Sequence, residues 1–496
     1  MISFSDFGEK LTRSAAYRVW TGDVEVPVYT CRISAYPFNT WWPGHQRPME
    51  QSEVVSFVNL VSDEPVSLDV EPLSGAYEKI MLKPYSKGVK VAKRGEKLAF
   101  SLAENGGYVL ELDDYHNCLY IFNNKHVLCE DPDTVTHYFG AGVHNAGKIT
   151  LHSNESVYVD KDAYVYGCIF AENAENIRVF GNGIFDDSRE TRIDERCYIP
   201  TTNGNIKFYD CRNVSIEGVG FTDSAIWCVN LFHCFDVKLD GVNVFGQWRY
   251  NTDGIDIVNC QRVHIQSCFV HSFDDSITIK GIVEYGETAN TDMLIENCVI
   301  WCDWGKALEL GLETACEEYT RITFRNCDVI RGGNIACDVQ NGDCARVHGI
   351  LFEDIRLELE SSYTPHVYQK NDEQAYEPDA PYEIAAVAYF TNAGRFREAY
   401  AFLEDPLPPL TVGPKEGEPE FAAMQNITVR NVQVYCDERI LAERGTDAVF
   451  VRVTNGVQGS AVSGILFENI MLNGVKVPPE KLNLKVRGAV SDLTVK

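Results

Sequence analysis

Short segments in which apolar and polar residues alternate recur along the chain from about residue 176 onward. In each segment Ile, Val, Leu or Phe occupies every second position, a period of two that predicts a β-strand with one buried face. A turn containing Asn-Cys, Gly or Asn-Val often follows, and then a second short strand. The units begin at Asn176, Asn213, Asp236, Arg262, Met293, Arg321, Gly349, Asn426 and Gly464.

The spacing of these units indicates the class of fold. Within 213–349 successive units begin 23 to 31 residues apart, a period typical of solenoid proteins. One unit cannot bury its apolar row alone, so neighbouring units must stack. Leucine-rich repeats, the main alternative, need an L-x-x-L-x-L-x-x-N pattern and a helix in many units. These units are instead rich in Val, Ile and Asn, so we predict an all-β parallel β-helix.

Six cysteines recur at matched places in the repeat, one set just before the strand and one just after it. The first set is Cys211, Cys234 and Cys260, and the second is Cys268, Cys298 and Cys327. Equivalent positions of stacked coils form ladders, and a small apolar thiol suits a buried ladder. We therefore interpret these six residues as packing residues rather than ligands or nucleophiles.

The N-terminal part of the chain lacks the repeat. Strand-like runs such as VEVPVYTCRI and YVLELDD are separated by Gly, Pro and Asp turns, which is typical of a β-sandwich. We predict a β-sandwich domain over 1–135 and a β-helix domain over 136–496, with an insertion at about 360–422. A long excursion from a solenoid often covers its binding face, but a surface or oligomer-contact loop agrees equally well with the sequence.

Composition and charge exclude several classes of function. The 496 residues carry a formal net charge of −28, which disfavours nucleic-acid partners because these need a basic surface. No stretch of about 18 apolar residues predicts a membrane span. The N-terminus, MISFSDFGEK, has no basic region followed by an apolar run, so no secretory signal is expected. We expect a cytoplasmic protein whose 17 cysteines are free thiols.

The candidate chemistry lies in two consecutive units, NTDGIDI at 251–257 and FDDSITIK at 273–280. Asp253 and Asp274 are 21 residues apart, close to one turn of the solenoid. Stacked strands lie about 4.8 Å apart, so these residues and Asp275 should converge. Crowded carboxylates raise at least one pKa, and glycoside hydrolysis needs a protonated acid beside an ionised carboxylate. A single Asp would more simply cap a turn, but three at this spacing favour a site.

NTDG followed by a DD pair, on coils that end in I-x-I-K, resembles the polygalacturonases of glycoside hydrolase family 28. It is also similar to family 49, the dextranases and isopullulanases, which carry an N-terminal β-sandwich. SAIWCVNLFHCFDV at 224–237 is similar to the S-x-x-W coil of family 28, and the resemblance runs from about 140 to 475. It implies a right-handed β-helix and an inverting hydrolase. In that pattern Asp274 matches the general acid, and Asp253 and Asp275 match the acids that hold the attacking water.

The chain departs from the family pattern at two places. Polygalacturonases carry Gly-His-Gly after the DD coil, and here WGKALELGLET at 304–314 has Lys306 in place of the His. They then carry an Arg-x-Lys that binds the galacturonate carboxylate, and here GGNIACDVQNG at 332–342 offers Asp338 and Gln340. Because a buried carboxylate needs a charged partner, we expect a neutral or mixed glycan rather than plain polygalacturonate.

The predicted substrate-binding residues surround the three aspartates. Lys280 has outward parity relative to Ile277 and Ile279, and tryptophans in these coils offer faces that suit sugar rings. The set is Asn251, Lys280, Lys306, Glu309, Asp338, Gln340, Trp248 and Trp304. A structural ion pair would equally explain Lys280, and packing would explain the tryptophans. Three histidines that follow the repeat are interpreted as structural, namely His233, His264 and His271.

Three functions are open on the sequence alone. The favoured one is an inverting glycosidase that acts on an oligo- or polysaccharide. The second is a polysaccharide lyase on the same fold, whose acids would hold calcium and whose base would be Lys280 or Lys306. The third is a non-catalytic glycan-binding β-helix. For the favoured function no cofactor or metal is predicted, the expected partner is a carbohydrate substrate, and homo-oligomerisation is left open.

Overall fold

The computed structural model of the protein describes nearly all of the two predicted domains. The described residues are 2–35, 49, 52–193, 197, 199–363, 384–392, 423–456 and 460–496. Most of the predicted insertion, including its proline cluster, lies outside them. Within the described residues, no helix has both the length and the apolar character needed to cross a membrane.

The N-terminal part folds as two facing, mostly antiparallel sheets. Its strands are β1 (Ser3–Phe4), β2 (Tyr17–Thr21), β3 (Val24–Val26), β4 (Tyr29–Ser34), β5 (Ser52–Val61), β6 (Val66–Pro72), β7 (Ile80–Lys83), β8 (Ala92–Arg94), β9 (Lys97–Leu102), β10 (Gly106–Leu112) and β11 (Asp114–Asn124). One sheet has the order β1-β5-β11-β10-β7 with β4 beside β5, and the other has β3-β2-β6-β9-β8. Alternating residues such as Val58, Leu98 and Leu110 are fully buried between them, which makes this unit a β-sandwich.

The rest of the chain winds into coils whose strands pair in parallel with those of the next coil. Sheet I contains β12 (His137–Phe139), β14 (Ser156–Val159), β16 (Glu175–Gly181), β19 (Arg212–Glu217), β22 (Phe235–Asp240), β25 (Gln261–Gln266), β28 (Asn290–Glu296), β31 (Glu318–Arg325), β34 (Arg346–Glu353), β37 (Ala423–Cys436), β39 (Val462–Leu472) and β42 (Val490–Val495). Sheet II contains β13 (Gly142–Leu151), β15 (Ala163–Glu172), β17 (Ile184–Asp186), β20 (Gly220–Thr222), β23 (Asn243–Phe245), β26 (Phe269–Ser272), β29 (Val299–Cys302), β32 (Asp328–Gly332) and β35 (Arg356–Leu359).

Sheet III completes each coil and carries the candidate site. It contains β18 (Ile206–Tyr209), β21 (Val229–Phe232), β24 (Ile255–Val258), β27 (Ile277–Gly281), β30 (Lys306–Thr314), β33 (Ile335–Asn341), β36 (Ala386–Asn392), β38 (Phe450–Asn455) and β41 (Asn483–Arg487). The short β40 (Val475–Lys476) folds back on β39. The only described α-helix is Glu438–Arg444, and the described 3-10 turns are Tyr85–Lys87, Pro132–Thr134, Val283–Tyr285, Gly445–Ala448 and Pro479–Lys481.

These three sheets confirm the predicted fold class, a right-handed parallel β-helix with an N-terminal β-sandwich. The inward residue of each strand joins one continuous core, which also contains the two predicted cysteine ladders. Cys234, Cys260 and Cys298 have no exposed surface, so their interpretation as packing residues is confirmed. On β24 the same alternation turns Ile255 and Ile257 inward and therefore turns Asp256 outward.

The sandwich packs on the outer face of sheet II through aromatic side chains. Phe122 of β11 lies against Phe245 and Phe269, with ring centroids 4.8 and 5.4 Å apart. Tyr120 and Trp301 belong to the same buried cluster, with centroids 5.5 Å apart. This cover leaves the outer face of the neighbouring sheet III for the residues of the site.

Candidate active site

The three candidate aspartates lie where turns from sheet II enter sheet III. Asp253 precedes β24, and Asp274 and Asp275 precede β27. The Gly254 amide donates to the Asp275 carbonyl at 2.8 Å, and the Ile255 amide donates to that of Ser276. Asp253 is therefore in register with Asp275. The spacing of 21 residues had matched Asp253 with Asp274, so that alignment was wrong by one residue.

Lys280 joins the carboxylates of the two coils. Its Nζ lies 3.3 Å from Asp253 Oδ2 and 3.1 Å from Asp275 Oδ2. Those two oxygens are therefore within about 6.5 Å of each other, the lower end of the carboxyl separation in inverting glycosidases. Nζ also lies 3.9 Å from Asp256 Oδ1 and 3.6 Å from Glu313 Oε2. One buried ammonium thus holds four acidic side chains around one point.

Lys306 approaches Asp275 from the next coil. Its Nζ lies 3.3 Å from Asp275 Oδ1, and its backbone amide donates to the same oxygen at 3.1 Å. A Cβ on the preceding residue, Gly305, would meet the Asp275 amide nitrogen at 2.4 Å, so only glycine allows the two turns to pack this closely. Both oxygens of Asp275 consequently face a lysine.

The neighbouring charges separate the pKa values of Asp274 and Asp275. Burial raises the pKa of Asp274 well above its usual value, and the charges of Asp275 and Asp253 raise it further. Burial would also raise the pKa of Asp275, but Lys306 and Lys280 hold it well below the usual value. An acid that keeps its proton therefore lies beside a carboxylate that has lost it, as general acid–base hydrolysis requires.

Asp253 has a different environment from that of Asp275. Burial raises its pKa well above the usual value, and the charge of Asp256 raises it further, while Lys280 opposes both effects. Asp253 Oδ1 is buried and has no hydrogen-bond partner among the described residues. This oxygen is available to accept a hydrogen bond from a water molecule or a substrate hydroxyl.

A row of outward side chains continues from the aspartates along sheet III. Asp256 pairs with Thr278, Thr278 with Glu309, and Glu309 with Asp338 in successive coils. Burial raises the pKa of Glu309 well above its usual value and that of Asp338 to about 7. We had not predicted Asp256, although its position between the inward residues of NTDGIDI signals that it faces outward.

The structure brings most of the predicted binding residues to this face. Lys306 Nζ is 3.3 Å from Glu309 Oε1, and Gln340 Nε2 donates to Asp338 Oδ2 at 2.7 Å. Glu309 and Asp338 are fully buried, so they lie beneath the surface that a sugar could touch. The partly exposed members of the set are Asn251, Trp304, Lys306 and Gln340.

Trp248 does not share this position. Its side chain is only 2% exposed, and its indole Nε1 donates to Asp223 at 2.9 Å. A buried ring offers no face to a sugar, so the prediction that Trp248 contacts substrate was wrong. Trp227 lies nearer the acids, since Lys280 Nζ is 4.8 Å from the centre of its ring and its Nε1 donates to Asn251.

Comparison with known sequences gives the family. Residues 134–381 match the sequence profile of Glycosyl hydrolases family 28, and this region is half of the chain. The chain belongs to glycosyl hydrolases family 28. The matched region of this family 28 protein contains both turns that carry the aspartates, and it confirms the resemblance drawn from NTDG and DD.

Curated relatives match parts of the chain. A polygalacturonase from Gossypium barbadense is 26% identical over 209 residues, which cover 38% of this chain and 47% of that relative. A protein named probable rhamnogalacturonase A, from Aspergillus oryzae, is 22% identical over 148 residues, which cover 30% of each chain. The chain therefore spans less than half the length of the curated relatives it matches.

A solved structure matches almost the whole family 28 chain, including the sandwich. Dex49A from Penicillium minioluteum superposes with a TM-score of 0.63 at 13% sequence identity, over 97% of this chain and 93% of that one. This likeness shows a shared fold, and it agrees with the similarity to family 49 that the sequence suggested.

Proposed function

We propose that the protein is an inverting glycoside hydrolase in which Asp274 is the general acid and Asp253 with Asp275 forms the general base. The observation that carries this proposal is the opposite direction of the pKa shifts in the adjacent residues Asp274 and Asp275. Asp274 can protonate the leaving oxygen, while Asp275 and Asp253 orient the water that attacks the anomeric carbon from the other side.

The two lysines act through the carboxylates in this proposal. Lys280 keeps Asp275 ionised and holds it beside Asp253, and Lys306 binds the other oxygen of Asp275. As the proton leaves Asp274 in the transition state, Lys306 and Lys280 stabilise the new negative charge, since both lower the pKa of Asp274. Their positive charge is therefore used by the acids rather than by a substrate carboxylate.

The same balance of charge supports a neutral or mixed glycan as substrate. Where the family pattern has an Arg-x-Lys, Asp338 is buried and accepts a hydrogen bond from Gln340. Along the described row, the next residue beyond Asp338 is Tyr389 and the next cation is Arg452, two coils away. A uronate in the reacting position would face carboxyl groups without a cation of its own. The relatives' names, polygalacturonase and rhamnogalacturonase, make uronate-containing glycans the necessary comparison.

The alternative function as a lyase has less support from the site. Burial would lower the pKa of Lys280, but Glu313 and the three nearby aspartates raise it well above the usual value, so this lysine keeps its proton and is a poor base. Calcium needs several oxygen ligands that converge at 2.3–2.6 Å. Within the described residues the three groups that converge to within 4.8 Å are Cys168, Asp187 and Glu190, which are not the acids of this site.

A cytoplasmic location belongs to the same proposal. All 17 cysteines are free thiols, and the ladder cysteines are buried in the core. Free thiols persist in a reducing compartment. In that compartment the substrate would be a short, imported oligosaccharide.

The test is a hydrolysis screen with the wild-type protein and the Asp274→Asn variant. The panel contains neutral oligosaccharides, rhamnogalacturonan oligosaccharides and polygalacturonate, and new reducing ends are measured with and without EDTA. We expect cleavage of a neutral or mixed glycan, insensitivity to EDTA, and loss of activity in the variant. Cleavage of polygalacturonate alone would contradict the proposed substrate. An unsaturated product that absorbs in the ultraviolet would indicate a lyase, and equal behaviour of both proteins would favour the non-catalytic function.

A further inference from the structure

A fully buried chain of polar side chains crosses from the sandwich to the turns of the site. The Tyr120 hydroxyl in β11 lies 2.6 Å from His271 Nδ1 in β26. His271 Nε2 lies 3.0 Å from Asp303 Oδ2, just after β29. Trp301 Nε1 donates to Asp303 Oδ1 at 2.8 Å. None of these four side chains is more than 5% exposed, so the contacts are shielded from water.

The hydrogen-bond partners assign the protons of this network. An ionised carboxylate only accepts, so His271 Nε2 carries the proton that it shares with Asp303. Nδ1 is then the acceptor for the Tyr120 hydroxyl. The chain therefore runs in one direction, from the sandwich hydroxyl through the imidazole to the carboxylate, and every member contributes to fixing the next.

The two ends of the His271–Asp303 contact are the starts of the two turns that form the site. His271 is followed by Ser272, whose hydroxyl donates to the Asp274 carbonyl at 2.6 Å. Asp303 begins the turn that ends at Lys306, and its own amide donates to the Ser272 carbonyl at 3.0 Å. The contact thus lies at the base of both the turn with the aspartates and the turn with Lys306.

We propose that Tyr120, His271 and Asp303 are positioning residues, through which the N-terminal sandwich holds the Asp274–Asp275 turn and the Lys306 turn at their working separation. This inference rests on the proposed function, because it concerns how that site is kept in order. The sandwich is then a part of the catalytic architecture and not only a cover for sheet II.

The same coil contains a natural control for this role. His264 Nε2 lies 3.0 Å from Glu296 Oε1 in the next coil, which matches the His271–Asp303 distance. That pair lies on sheet I, where the His264 side chain is 37% exposed and reaches no residue of the site. The network of His271 is buried, and apolar residues of similar volume would pack there at least as stably. A role in positioning explains why polar groups are kept in this interface.

The experiment measures kcat and KM separately on a substrate found in the hydrolysis screen, using full-length protein. We expect Asp303→Ala to lower kcat by about 100-fold with little change in KM, because small displacements of catalytic groups cost about that much. Tyr120→Phe should lower kcat by about tenfold. Asp303→Asn should recover most of the lost rate, since its amide can donate to the other imidazole tautomer and its oxygen still accepts from Trp301.

The controls separate this inference from the proposed function. Glu296→Ala should keep the wild-type kcat, and thermal unfolding reports the fold of each variant. Wild-type kcat in both Asp303→Ala and Tyr120→Phe would overturn the positioning role, as would an equal loss in Glu296→Ala. If Asp303→Ala does not fold, Tyr120→Phe alone decides, because it removes a single oxygen. Asp275→Asn is the separate benchmark, and its full activity would instead overturn the proposed site.

Discussion

The outer faces of sheet I and sheet III belong to the same coils but use charge differently. On sheet I, Arg262 binds Asp236 and Arg321 binds Asp292 in the adjacent coil, at 2.5 and 2.6 Å. These pairs are exposed, and hydrogen bonds from the arginines hold the pKa of each acid below its usual value. On sheet III the acids outnumber Lys280 and Lys306, and burial raises most of their pKa values.

This difference shows that stacking alone does not make a site. Both faces repeat side chains at the same rung spacing of about 4.8 Å. Exposed pairs with one cation for each anion are ladders that contribute at most about 1 kcal/mol each. Buried acids in excess must share protons, and that sharing creates neighbouring groups with opposite proton affinity. Four predictions test this distinction.

The largest expected effect is on catalysis. Asp275→Asn should lower kcat/KM by about 1000-fold or more, because it removes the ionised carboxylate that activates water. The matched variant on sheet I, Asp292→Asn, also removes one carboxylate held by a cation from the next coil, and it should keep full activity. Both are measured by release of reducing ends. Equal losses in the two variants would show that the faces do not differ in function.

The second prediction concerns the buried ammonium. Lys280→Met leaves four acidic side chains without their common cation, and we expect a loss of about 3–5 kcal/mol in the free energy of unfolding at pH 7. Arg262→Met on sheet I should lose no more than about 1 kcal/mol. Urea denaturation of both variants gives the two values. A loss below about 1 kcal/mol for Lys280→Met would mean that the acids do not depend on this lysine.

The third prediction is a pH dependence of stability with a defined sign. The pKa of Asp338 is about 7 in the folded protein, above that of about 3.9 for an unfolded Asp. Its contribution is therefore complete below about pH 4 and is lost as the pH rises towards 7. Asp338→Asn should stabilise the protein by about 2–4 kcal/mol at pH 8 and by nothing near pH 4.

A sheet I variant supplies the opposite sign for that measurement. Hydrogen bonds from Arg262 lower the pKa of Asp236, so its stabilising contribution is present above the unfolded pKa and is lost as the pH falls through the folded one. Asp236→Asn should therefore lower, not raise, the thermal midpoint at pH 8. Shifts of the same sign in both variants would remove the distinction between the faces.

The smallest expected effect is a displacement of the pH profile in Lys306→Met. Lys306 lowers the pKa of both Asp274 and Asp275, so both pKa values rise when it is removed. The acid limb and the alkaline limb of the plot of kcat/KM against pH should each move upward, by about one unit. A downward movement of either limb would contradict the assigned charges.

Much of the fold could be predicted because it is a local pattern repeated many times. The alternation around Ile255 and Ile257 specifies which face of the strand is buried, and the repeat period requires stacking. The turns Asn251–Asp253 and Asp274–Asp275 were recognised because motif and period agree. The excess of acids on one face also follows in principle, since Asp256 obeys the same parity.

Other features depend on contacts that no local pattern contains. The register that places Asp253 over Asp275 depends on the exact length of the intervening turns, so counting residues missed it by one. The burial of Trp248 depends on Asp223 from the previous coil. The contact between Tyr120 and His271 joins residues 151 positions apart, and it exists only because the sandwich packs on sheet II.

The most direct measurement of the central claim is the stereochemistry of the released sugar. Proton NMR of the wild-type reaction, recorded within minutes of mixing with the substrate, identifies the first anomer formed before it equilibrates. Because a water held by Asp253 and Asp275 attacks from the face opposite Asp274, the account predicts an anomer of inverted configuration. Release of the anomer with the starting configuration would contradict it, since that result requires a covalent intermediate on one of the carboxylates.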